Sequence, residues 1–101
     1  MDFSDALRAI KRGKMLCRAG WNGRHLRIFM VDSTERPVKD HDAMAQRVPV
    51  GTMLGHNNHI GILAKDGTVT PWLASQQDLL ADDWMIDDGG VEESFMRGSA
   101  A

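Results

Sequence analysis

A chain of 101 residues, 43% apolar and 26% charged, reads as one domain near the small end of what buries a useful core. A formal net charge of −2 removes the general electrostatic case for nucleic acid or a membrane surface, and no run approaches the ~20 apolar residues of a membrane span. The lone Cys17 allows no intrachain disulfide, which fits a reducing compartment, and the basic start is not followed by the apolar core of a secretory signal.

Phe3, Ala6, Leu7 and Ile10 recur at helical spacing. Asp2, Ser4 and Asp5 suit the start of a helix, and Arg8, Lys11 and Arg12 its end. With Gly13 as the stop, the pattern predicts a helix at about Ser4–Arg12. Met15–Arg18 reads as a short strand, and Asn22–Gly23 as a tight hairpin turn. His25–Val31 is the return strand. A period of two puts Arg27, Phe29 and Val31 on one face and Leu26, Ile28 and Met30 on the other. Both faces are apolar enough to be covered, one by the helix and the other by a second subunit. Residues 32–59 are long for an unstructured connection, and flap, docked excursion and disorder all stay open there. Ile60–Ala64 and Thr68–Thr70 are strands joined by an Asp66–Gly67 turn.

The stretch from Thr70 to Trp84 organises the rest. Pro71 marks an extended approach. Ser75 and Asp78 have capping-box spacing, with aspartate in place of glutamate, so a short helix with Leu79 and Leu80 turned inward is expected. Trp84–Ile86 is the last strand. The fold class expected is α+β: an N-terminal helix packed on a twisted antiparallel sheet of about five strands, with a short helix before the last strand. The single domain is expected to span residues 1–88, with a long excursion at about 32–59 and a flexible tail at 89–101.

Chemistry-bearing residues favour binding over catalysis. His41, His56 and His59 lack a zinc spacing, and a buried thiol is the expected state of Cys17. No catalytic nucleophile, phosphate loop or metal set stands out. Trp21, Trp72 and Trp84 offer flat surfaces for a purine. Arg18, Arg24 and Arg27 offer guanidinium groups for phosphate. Asn22, Ser75, Gln76 and Asp78 offer donors and acceptors for base edges and ribose hydroxyls, and the first amides of the short helix an anion cradle. The competing assignment makes the three tryptophans core and interface residues of a structural or interaction protein.

Ala6–Lys14 followed by Arg18–Gly23 resembles the opening of a small phage and prophage family, the Thoeris anti-defence type 2-like domain. Leu26–Val31 looks like its second strand, and Asp66–Trp84 is similar to its most diagnostic run. The resemblance covers about Asp2–Asp87, with the middle segment unmatched in detail. It implies a non-enzymatic sponge without cofactor, working in the bacterial cytoplasm. Such proteins sequester cyclic nucleotide immune signals, notably glycocyclic ADP-ribose, and some also hold cyclic dinucleotides. They are homo-oligomers, typically tetramers built from dimers, with pockets that use more than one subunit. Trp21, Asn22, Trp72, Ser75, Gln76, Asp78 and Trp84 fall in the matching motifs.

Overall fold

The computed structural model describes residues 1–21 and 25–87. The expected Asn22–Gly23 turn, Arg24 and the expected tail lie outside them. Helix α1 runs Phe3–Lys11. Asp2 caps it by accepting from the Asp5 amide at 2.9 Å, Asp5 sits in the first turn, and Arg8 and Lys11 close the last. Gly13, at φ +87°, takes the left-handed conformation that ends the helix. Ala6, Ala9 and Ile10 are buried. The apolar stripe therefore lies against the sheet, as the helical spacing requires.

Strands β1 (Leu16–Arg18), β2 (Arg27–Val31), β5 (His59–Leu63), β6 (Val69–Pro71) and β7 (Trp84–Ile86) form one antiparallel sheet in the order β6-β5-β2-β1-β7. Leu16 faces both Ile28 and Ile86, and Ile28 faces Ile62. These positions share the face that packs with Ala6, Ile10 and Trp84 into the core. The alternate positions carry Cys17, Phe29, Val31, Leu63 and Met85 on the outer face, where the described elements place no helix. Gly61 is needed there: an added Cβ would stand 2.7 Å from Cγ2 of Val31 and 3.2 Å from Cγ1 of Val69.

Residues 32–59 build a ribbon. Strands β3 (Thr34–Pro37) and β4 (Met53–His56) pair antiparallel, and a 3-10 turn at Ala43–Gln46 lies between them. Their register continues that of β2 and β5: Val31 faces His59, and Thr34 faces His56. The two pairs are thus one long hairpin, interrupted at Asp32–Ser33 and Asn57–Asn58. At that break the Ser33 amide donates to Oδ1 of Asn58 at 2.5 Å. Val38 is buried between the ribbon strands and the tip.

Helix α2 is short, Gln76–Leu80, and precedes β7 as expected. Its inward leucines are a correction. Leu79 is 45% and Leu80 78% exposed, because one and a half turns capped at Ser75 present only part of their circumference to the body.

Candidate ligand site

The site is built where the Thr70–Trp84 stretch folds back on the start of the chain. Ser75 Oγ accepts from the Asp78 amide at 3.1 Å, and the Asp78 carboxylate accepts from the Ser75 amide at 3.2 Å. This reciprocal cap fixes where α2 begins. The other carboxylate oxygen of Asp78 takes Nη1 of Arg18 at 2.8 Å, and Nε of Arg18 meets Asp83 at 2.8 Å. Asp83 also accepts from the Gly20 amide at 2.8 Å. One guanidinium therefore ties β1 and the 3-10 turn Ala19–Trp21 to α2 and the start of β7.

These contacts set the local electrostatics. Burial pushes the Asp78 carboxyl upward, but hydrogen bonds from Arg18 and the Ser75 amide outweigh it and hold the group below the usual carboxylate range. The Arg18 and Gly20 bonds hold Asp83 low as well. Arg18 is pushed further up by the same two carboxylates. Cys17 is raised by burial, which keeps its thiol protonated and unreactive at neutral pH.

Three tryptophans meet on this frame. Trp84 is buried, and its indole N–H donates to the Asp78 carbonyl at 2.9 Å. Trp21 and Trp72 pack edge-on against it, with centroids at 5.3 and 5.9 Å. Phe3 touches Trp84 at 5.4 Å and Trp72 at 5.7 Å. Edge-to-face packing of this kind locks ring orientation beyond what area burial provides. Beside Trp72 lies an open groove of about 510 Å³, lined by Phe3, Leu7, Ile60, Leu79 and His59 among others. The Trp72 amide donates to the Ile60 carbonyl at 2.8 Å, which holds this edge of the groove to β5.

The structure brings together Trp21, Trp72, Trp84, Arg18, Ser75 and Asp78 at one end of the helix-covered side, with Gln76 exposed at the start of α2. Arg27 does not join them; it pairs with Asp87 on the outer sheet face. Arg18 is already engaged by two carboxylates. Phe3 and Asp83 belong to the site and were not among its expected members. Phe3 carries only the signal of a core helix residue, and Asp83 reads in sequence as one of two solvated acids. Among the described residues no three His, Cys, Asp or Glu side chains stand together as metal ligands, and no helix is long and apolar enough to cross a membrane.

The sequence profile of the Thoeris anti-defense 2-like domain matches residues 1–86. Thoeris anti-defense 2 of Bacillus phage SP01 is 34% identical over 91 residues, an overlap that spans 85% of this chain and 93% of that protein.

Proposed function

This chain belongs to the Thoeris anti-defense 2-like domain family, and on that premise we propose that it is a phage anti-defence sponge: it binds cyclic nucleotide immune signals, of the glycocyclic ADP-ribose or cyclic dinucleotide kind, and holds them without cleaving them. The observation that carries this reading is Trp72. Its ring borders an open groove, packed edge-on against buried Trp84 and beside Phe3, which lines the same groove. A rigid, partly exposed indole at the edge of an apolar groove suits a purine base. Trp21 offers a second ring on the other side of Trp84.

Sequestration asks for enclosure and no reactive group. In this reading Trp72 and Trp21 stack, Trp84 supports both, and Ser75 and Gln76 provide polar contacts at the start of α2. Arg18 and Asp78 act as the frame that sets the distance between the two rings. A domain of this size does not enclose a dinucleotide alone. The protein therefore works as a homo-oligomer whose subunits close the pocket together, in the bacterial cytoplasm where such signals are made.

The test is direct. The purified protein is incubated with a panel of cyclic nucleotides, freed of unbound ligand and heat-denatured. The supernatant is then analysed by chromatography. Release of an intact cyclic nucleotide is the expected result; no release from any member of the panel overturns the reading.

A further inference from the structure

The groove beside Trp72 suits a ring and offers nothing to a charge. Phe3, Leu7, Ile60, Trp72 and Leu79 give it apolar walls, and no lysine, arginine, aspartate or glutamate is among its lining residues. An ionised phosphate drawn between such walls loses its water and gains no counter-charge, which is strongly unfavourable. A cyclic nucleotide whose base enters the groove therefore keeps its phosphates at the mouth, in contact with water. A cation that serves the site has to reach them there.

Most cations of the described residues are committed or lie elsewhere. Arg18 is held by Asp78 and Asp83, and Arg8 by Asp5 at 2.9 Å. Arg27 pairs with Asp87 on the outer sheet face, and Arg36 with Asp42 on the ribbon. Lys65 follows the Leu63 end of β5, whereas the groove takes the His59 end.

Lys11 stands apart from these. Phe3 and Leu7 line the groove from α1, and Lys11 is the next residue of that stripe at a spacing of four. The rise from Leu7 to Lys11 is about 6 Å. Lys11 is exposed and makes no ion pair among the described residues. A lysine stem lies readily along apolar surface while its ammonium stays in water. From this position the stem extends the groove wall and the charge stands at the mouth. The helix dipole accounts for a basic residue in the last turn of α1 and not for its place on this stripe. Arg12 answers the same dipole from about 100° round the helix.

We propose that Lys11 binds a phosphate of the captured cyclic nucleotide at the mouth of the Trp72 groove, while the groove itself admits only the uncharged base. The inference rests on the sponge function proposed above and deepens it by assigning the anion contact to a residue.

The experiment is titration calorimetry of the full chain with two probes, glycocyclic ADP-ribose and cyclic di-AMP, in low and in high salt. Lys11→Gln removes the charge and Lys11→Arg restores it. Arg12→Gln removes one charge from the same helix end, off the groove stripe, and controls for overall charge. All three variants fall at exposed positions, so thermal melting should stay close to the parent, which verifies folding. Lys11→Gln should bind at least about threefold more weakly in low salt, with the difference narrowing in high salt. Lys11→Arg and Arg12→Gln should stay within about twofold of the parent. Three results would overturn the proposal and leave the sponge reading standing: Lys11→Gln binding like the parent, Arg12→Gln weakening binding as much, or a loss in Lys11→Gln that salt does not narrow. A parent that binds neither probe would end the sponge reading for these two ligands and this proposal with it.

Discussion

Arg18 shows how a residue with the right chemistry for a ligand can be committed elsewhere. Its side chain is 18% exposed and bonded to Asp78 and Asp83. Both carboxylates have folded pKa values below their unfolded ones. The stability they contribute is therefore present above the ordinary unfolded value of about 3.9 and lost as pH falls through the lower folded values. Melting temperature followed from pH 7 downward should hold to about pH 4 and then drop. Asp83→Asn should lower the plateau and flatten the drop, and an unchanged profile would show that the latch contributes nothing. The rings call for a different measurement. Trp72→Ala should weaken nucleotide binding by about 1–3 kcal/mol, the worth of a base stack. Trp21→Ala should act in the same direction. Loss of thermal stability in both variants with affinity intact would make the tryptophans purely core. Trp84→Ala removes a fully buried ring and should cost about 3–5 kcal/mol of folding stability, read by denaturant titration.

The elements divide by how local their causes are. Helix α2 depends on its cap, so Ser75→Ala should cost about 0.5–2 kcal/mol, whereas Leu80→Lys at an exposed position should change stability by less than about 0.5 kcal/mol. Gly61→Ala places a methyl against Val31 and Val69 and should cost about 1–3 kcal/mol by overpacking; denaturant midpoints of the three variants decide the ranking. The same division explains what could be read in the chain. Asp2 and Gly13 around a helical stripe, Ser75 with Asp78, and Trp84–Ile86 are local signals, and each marks the element that formed. The ribbon was not legible, because its pairing of Glu35 with Gly55 and Pro37 with Met53 joins residues distant in sequence through segments without clear alternation. The candidate site was legible in its rings and not in its frame. Nothing in the spacing of Arg18 and Asp83 announces an ion pair across 65 positions, and that pair joins β1 to the start of β7.

At the scale of the whole molecule the proposed function makes a thermodynamic demand. A sponge succeeds only by holding its ligand, so binding must appear as stabilisation of the folded, assembled state and as nothing else. Ligand at 100 times its Kd should raise unfolding stability by about 2.7 kcal/mol, and the melting temperature should rise with ligand concentration accordingly. Because the pocket is proposed to close between subunits, the same ligand should shift sedimentation toward the larger assembly; two linked sites reinforce one another by the same coupling free energy in both directions. The chemistry allows a complementary measurement. Cys17 is kept protonated by burial, Ser75 is spent on a helix cap, and the carboxylates of Asp78 and Asp83 are held ionised by Arg18. None of these groups is poised to exchange a proton near neutral pH, where a general acid or base works best. Chromatography of a captured cyclic nucleotide after prolonged incubation with excess protein should therefore return the cycle unopened. A linear or hydrolysed product that forms at a rate following protein concentration would make the protein an enzyme and end the sponge reading. Intact release with a concentration-dependent melting shift is the joint outcome that the groove beside Trp72 leads us to expect.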